Sequence, residues 1–294
     1  WYNKDKQNSG SRNMETFANK IYTGERALFG ARDLTLTDCI FEDGESPLKE
    51  SACLSLSGCA FRWKYPLWYG HDITLTDCTL SDNARAGIWY TENIAVRDTV
   101  IHAPKTFRRS RGITLTGVTM TDAAETLWSC RDVTIRRLDA RGDYLLMNAE
   151  GVDAEELHLE GNYAFDGARN VTLRSSRLLT KDAFWNSENV TVCDSYIAGE
   201  YLGWNAKCLT LVNCTVESLQ GFCYIDRLTL KNCRLVNTTL AFEYSTVDAD
   251  ITGSVDSVLN PSGGIIRADH IGTLTIDRDR VDPGKTTIIV REDV

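Results

Sequence analysis

Apolar and polar positions alternate in short triplets that return at a nearly fixed interval. RDLTLTDCIF (from Arg32), HDITLTDCTL (His71), RGITLTGVTM (Arg111), RNVTLRSSRL (Arg169), ENVTVCDSYI (Glu188), KCLTLVNCTV (Lys207) and DRLTLKNCRL (Asp226) are the clearest copies. With the first apolar residue of each triplet as position zero, the anchors are Leu34, Leu54, Ile73, Ile94, Ile113, Val133, Val152, Val171, Val190, Leu209, Leu228 and Val247. The mean step is about 19 residues, an interval that marks a solenoid. Alternation within the triplet is the period of a β-strand, and no stretch sustains the helical period.

Leucine-rich repeats share this interval but need an L-x-x-L-x-L-x-x-N pattern and a helical return. Here the return is rich in β-branched and aromatic residues and reads as strand. The pattern therefore predicts an all-β chain, a single-stranded right-handed parallel β-helix of about 12 coils, with three short strands and three turns in each. Three columns supply the core: position plus two (Leu36 to Leu230), plus seven (Phe41 to Leu235) and minus six (Leu28 to Phe222). Position minus one holds Asp33, Asp72, Asn93, Gly112, Asp132, Gly151, Asn170 and Asn189, residues that tolerate turn geometry. Coils stacked at about 4.8 Å would make a rod on the order of 60 Å long. Residues 1–19 read as an N-terminal arm whose first thirteen residues are either an expression remnant or a mobile segment. Residues 20–294 read as the β-helix, closed by a C-terminal cap made of one more coil (residues 265–276) and a final strand (Thr286–Val290).

Composition narrows the function. A net charge of −9 argues against nucleic acid as a partner. No apolar run approaches a membrane span. Ten cysteines invite a disulfide framework, but Cys39, Cys59, Cys78, Cys214 and Cys233 share position plus five with Thr99, Val118, Ser176 and Ser195. They read as compact inward-facing packers. That usage, with no secretory apolar segment at the start, suits a reducing compartment and gives the cytoplasm as the expected location. No C-x-x-C pair occurs, the four histidines occupy unrelated grid positions, and no nucleotide fingerprint is present, so neither metal nor cofactor is expected.

The segments between the triplets are more distinctive than the triplets. GERALFG (Gly24–Gly30), DGESPLKES (Asp43–Ser51), WKYPLWYG (Trp63–Gly70), ARAGIWYT (Ala84–Thr91), AETLWSC (Ala124–Cys130), KDAFWNSENVTV (Lys181–Val192), GEYLGWN (Gly199–Asn205) and LAFEYSTVDA (Leu240–Ala249) resemble an uncharacterised family of bacterial right-handed parallel β-helix proteins of the pectate-lyase-like superfamily. The resemblance implies the fold and brings no activity. The wider superfamily is rich in polysaccharide lyases, glycosidases and epimerases, which is analogy at the level of fold.

Candidate chemistry gathers in one outward stripe. Position minus five reads Phe29, Lys49, Trp68, Trp89, Arg108, Trp128, Met147, Asp166, Trp185 and Trp204, which includes five of the seven tryptophans. Arg109, Tyr144, Lys181 and Asp182 stand beside it. Flat aromatics next to carboxylates and guanidinium groups suit the apolar faces and hydroxyl edges of sugars. Trp68, Trp89, Arg108, Arg109, Trp128, Tyr144, Lys181, Trp185 and Trp204 are thus the expected binding residues for a carbohydrate or a glycosylated small molecule. Glu125, Asp143, Asp166 and Asp182 come from four successive coils. Two of them at glycosidase-like separation would serve as acid and base or nucleophile, whereas Lys105, Arg108, Arg109 and Lys181 around a uronate would suit a lyase. The same stripe equally fits internal packing, or the interface of a homo-oligomeric, non-enzymatic scaffold.

Overall fold

The computed structural model describes residues 14–291 and shows a right-handed parallel β-helix. The triplet strands (Arg32–Thr37, Ala52–Ser57, His71–Thr76, Glu92–Arg97 and their successors) pair in parallel, anchor on anchor: Leu34 with Leu54, Ile73 with Ile94, Val133 with Val152, Leu209 with Leu228. The anchors and the plus-two column are buried throughout, and one continuous core runs the length of the rod. Alternation forces this result, because a one-residue slip would turn every apolar side chain outward.

Among the described residues the helix has about fifteen rungs where about twelve were expected. Glu15–Ala18 pairs with the strand at Arg32, which places Glu15 at the anchor position and extends the solenoid into the expected arm. At the far end Gly263–Ala268 pairs with Thr246–Ile251, and Thr286–Val290 pairs with Gly263–Ala268. Their anchor positions hold Glu15, Gly264 and Thr286, and the last two steps depart from nineteen residues; the two C-terminal rungs were expected as the cap, one coil over residues 265–276 and a final strand at Thr286–Val290, whereas the strand at Glu15 was not. Fifteen rungs make a rod of roughly 70 Å. Residues 1–13, the segment read as a remnant or mobile arm, lie outside the described residues.

The third strand of each coil also departs from expectation. It exists as strand at Ile88–Trp89 and Phe107–Arg108, with a bridge from Arg108 to Trp128, and again in Ser254–Leu259, where Val258 bridges Ala241 and pairs with Leu274. Elsewhere the return is a succession of turns. Position minus one is left-handed as expected, with φ of 53° to 56° at Asp33, Asp72, Asn93, Asp132, Asn170 and Asn189. The same conformation recurs at position minus eight on bulky residues, including Tyr144, Tyr163, Asp182 and Tyr201. A tyrosine or glutamate at positive φ is uncommon. Each corner is offset by an inter-coil hydrogen bond: Tyr144 N to Asn162 O at 2.8 Å, Tyr163 N to Lys181 O at 2.8 Å, Asp182 N to Glu200 O at 2.8 Å, Tyr201 N to Leu219 O at 3.0 Å.

Like side chains meet like along the rod axis. Phe165 stacks on Phe184 with centroids 4.9 Å apart, and Phe41 on Phe61 at 4.9 Å. In the plus-five column Cys59, Cys78, Cys214 and Cys233 direct their thiols at backbone carbonyls of the preceding coil, at 3.5, 3.6, 3.5 and 3.4 Å. Thr99, Ser176 and Ser195 share this column and donate to the carbonyl two residues back. Where the column holds cysteine, threonine or serine, a polar hydrogen finds a backbone carbonyl; elsewhere Val118, Leu138 and Leu157 fill the same buried position with apolar side chains. Cys39, Cys59, Cys78, Cys130, Cys193, Cys208, Cys214, Cys223 and Cys233 are free thiols. Burial pushes the thiols of Cys130, Cys214 and Cys223 up to about 12, so these three are poor nucleophiles.

Because each rung is stabilised mainly by its neighbours, a cavity in the stack should be felt strongly. Phe184→Ala is expected to destabilise the fold by about 3–5 kcal/mol, read as a lowered midpoint in urea unfolding followed by circular dichroism.

Candidate functional site

The aromatic stripe forms on the turn face and lies outside the core. Its rings are half-buried, and their faces are largely used against one another. Trp68 stacks on Trp89 at 5.1 Å and 5°. The Arg108 guanidinium is sandwiched between Trp89 and Trp128, at 4.7 and 4.4 Å from their centroids. Indole N–H groups bond to corner carbonyls of the next coil: Trp68 to Ala86, Trp89 to Lys105 at 2.8 Å, Trp185 to Tyr201 at 2.9 Å. Rings held this way present edges to solvent, whereas sugars stack on faces. The ladder from Trp68 to Trp128 is therefore chiefly a packing device.

The candidate carboxylates have different surroundings. Glu125 is neutralised by Lys105 at 3.3 Å and Arg108 at 3.0 Å. Asp143 accepts from the backbone N of Asn162 at 2.8 Å, and Asp166 from Asn186 Nδ2 at 3.0 Å. Arg109 is exposed at a corner. Asp182 stands apart, being 3% exposed. Burial pushes its carboxyl above the usual range; nearby Lys181 opposes that shift, while Glu200 and Asp166 reinforce it.

The surroundings of Asp182 follow from a break in the ladder. In the minus-five column Trp128 is followed by Met147 and Asp166, so stacking crosses to the minus-eight column: Trp128 to Tyr144 at 6.4 Å, then Tyr144 to Tyr163 at 4.7 Å and 8°. The next residue in that column is Asp182, and the next again is Tyr201. A ring is missing between two tyrosines. Tyr163 stands perpendicular to Trp185 (87°) and Tyr201 to Trp204 (85°). The result is a concavity of ≈ 380 Å³ lined by Tyr163, Lys181, Asp182, Trp185, Tyr201 and Trp204. Lys181 lies over the Tyr201 ring at 5.5 Å and pairs with Glu200 at 2.9 Å.

Of the expected residues, Asp182, Lys181, Trp185 and Trp204 thus share one opening, with Asp166 electrostatically coupled to it. Tyr144 forms the stack that leads to it. Trp68, Trp89, Arg108, Trp128 and Glu125 belong to the ladder on earlier coils. Tyr163 and Tyr201, also members of the stripe at position minus eight, line the opening; their place two coils apart in one column, flanking an aspartate, marks the gap. A larger concavity of ≈ 500 Å³ lies on another face, lined in part by Asp139, Arg141, His158 and Glu160. Four of its charged or titratable groups are paired, His158 with Asp139 at 3.1 Å and Arg141 with Glu160 at 3.3 Å, as on a solvated surface, and Arg177 lies over the Tyr196 ring.

Fold and site define a parallel β-helix protein with an aromatic ladder interrupted at one buried carboxyl. The chain belongs to the family described as protein of unknown function (DUF3737), whose profile matches residues 15–289. No curated protein matches it in sequence. Among solved structures it is similar to the A-module of mannuronan C-5 epimerase AlgE4 of Azotobacter vinelandii, with TM-score 0.36, 10% identity, and coverage of 95% of this chain and 89% of that one. It is also similar to PfbA, a surface adhesin of Streptococcus pneumoniae (0.39, 9%, 88% and 83%). A third is a tailspike protein mutant of E. coli bacteriophage HK620 in complex with a pentasaccharide (0.39, 10%, 88% and 70%).

The raised Asp182 pKa sets a pH signature. The folded chain holds this proton where the unfolded chain releases it, so the group favours folding below the ordinary carboxylate range. That contribution is lost as pH rises through the unfolded value toward the folded one. Asp182→Asn is therefore expected to raise the melting temperature at about pH 7.5 and to leave it nearly unchanged at about pH 3.5, measured by differential scanning fluorimetry.

Proposed function

We propose that the protein binds carbohydrate, with one sugar ring seated in the gap between Tyr163 and Tyr201 over Asp182. The observation that carries this reading is the missing ring in the tyrosine column. Two coil steps separate the flanking residues by about 9.6 Å. A pyranose contacting an aromatic ring on each side, at roughly 4.0–4.5 Å per contact, needs close to that spacing. The concavity is of ligand size and mostly ring-lined, with few polar groups, as small-molecule sites are. Lys181 and Glu200 at its rim and Asp182 at its base offer hydrogen bonds to hydroxyl edges.

The same arrangement favours acid–base chemistry on the bound sugar. Asp182, desolvated and beside other carboxylates, is the group suited to donate a proton to a glycosidic oxygen. Asp166, held by Asn186, is the second carboxyl group nearby. Binding does not depend on this step, so the two are separable by experiment.

An oligosaccharide panel should be titrated against the full-length chain by tryptophan fluorescence and calorimetry. Trp185→Ala and Tyr201→Ala are each expected to weaken any hit by tenfold or more, about 1.4 kcal/mol. Trp68→Ala, in the closed part of the ladder, should leave affinity unchanged. Asp182→Asn should keep binding and abolish turnover if the bound sugar is cleaved. Equal losses from Trp68→Ala and Trp185→Ala, or no binding by any glycan, would contradict the reading.

A further inference from the structure

Beside the ring-lined gap the outer surface changes character. Outward position plus eight reads His102, Thr121, Arg141 and Glu160 on the earlier coils, then Leu179, Ala198, Glu217 and Val236, stacked one above another from Glu160 onward. The pairing slips between Glu217 and Leu219, so that Leu219 faces Thr239 on the next coil. Leu219 is 50% exposed, Val236 40% and Leu240 42%. Among the described residues, the other exposed large aliphatic side chains lie on the terminal rungs. Exposed aliphatic side chains away from the ends are therefore a local feature of the C-terminal third of the rod; Leu219 lines a concavity of ≈ 470 Å³ together with Ala198, Gly199, Glu200, Glu217 and Asn237, and Val236 stands over Glu217 on the next coil.

This hollow adjoins the gap over Asp182. Glu200 forms part of its wall and reaches back to Lys181 at 2.9 Å. Tyr201 of the gap donates its backbone N–H to Leu219 O at 3.0 Å. Its base is bare backbone at Gly199, where φ is 155° and a Cβ would lie 1.9 Å from Thr180 O. Glu217 is the one fixed charge on the far rim. Hydrogen bonds from Asn237 (2.8 Å) and Tyr196 (3.0 Å) hold its carboxyl below the usual range. The hollow thus combines an aliphatic lip, a backbone base and a polar far edge.

We infer that the ligand is a glycoside rather than a plain glycan: its sugar occupies the gap over Asp182 and its apolar aglycone lies in the hollow beside Leu219. This rests on the carbohydrate reading above and adds the class of compound. The concavity has the volume of a small-molecule pocket. The exposed aliphatic lip is Leu219 with Val236 on the following coil, far short of the roughly 800 Å² per partner of a stable protein interface. An apolar ring system attached at the anomeric oxygen is the occupant that uses both hollows at once, with Glu200 at the junction between them.

The test compares methyl and 4-methylumbelliferyl glycosides of the same set of sugars, titrated against the full chain, with light scattering in parallel. The aryl glycoside is expected to bind about tenfold more tightly than its methyl counterpart. Leu219→Asn and Val236→Asn, both at exposed positions, should erase that increment and leave methyl glycoside affinity intact. Trp185→Ala should weaken both ligands. Equal affinity for methyl and aryl glycosides overturns the aglycone assignment while sugar binding stands. An aryl increment that survives Leu219→Asn places the aglycone elsewhere, and a dimer that Leu219→Asn converts to monomer makes the lip a self-association surface; either result overturns the assignment. Failure of every glycoside to bind overturns both this inference and the carbohydrate reading.

Discussion

Vertical register is the constraint on which everything else depends. Parallel hydrogen bonding between coils fixes each residue over its counterpart about 4.8 Å away, and that distance is close to the stacking distance of aromatic rings. A column of like residues therefore stabilises itself. Phenylalanines stack inside, asparagines bond to asparagines at the corners (Asn213 to Asn232, Asn186 to Asn205), and indoles and guanidinium groups stack outside. Function has to arise where a column is interrupted, because an unbroken column satisfies itself.

Asp182 is such an interruption. It takes the place of a ring in the minus-eight column, shares the left-handed corner geometry of Tyr163 and Tyr201, and is buried by the aromatic neighbours that its small side chain leaves without a stacking partner. Its altered protonation and the opening above it have one cause: both follow from putting a carboxyl in a ring's position. The adjacent slip in pairing at Glu217 and Leu219 is a second interruption one coil further on, and it opens the apolar hollow.

The fold was legible because inward positions repeat with little variation. The anchors, the core columns and the turn residues at minus one could be read directly, and all lie where strict alternation puts them. The first rung was hidden by Glu15, where pairing is carried by backbone and the side chain gives no sign, while the last two were legible as a cap over residues 265–276 and Thr286–Val290. The return segment was misread as strand because aromatic residues with strand propensity sit there at positive φ, stabilised by inter-coil hydrogen bonds that no propensity encodes. The stripe was legible as a column, and Trp185, Trp204, Lys181 and Asp182 were drawn from it. Which members face a ligand was not legible, since that depends on ring orientation. Trp89 and Trp185 occupy the same grid position, yet one is clamped face to face and the other meets its tyrosine neighbour edge-on.

The central claim is that an absent ring makes the site, and it can be tested by restoring the ring. Asp182→Tyr places a tyrosine between Tyr163 and Tyr201 in a backbone conformation that both neighbours already adopt. The account predicts that glycoside titration of this variant shows no binding, with melting temperature maintained or raised. Undiminished binding by a folded Asp182→Tyr protein would mean that the ligand site lies elsewhere on the rod.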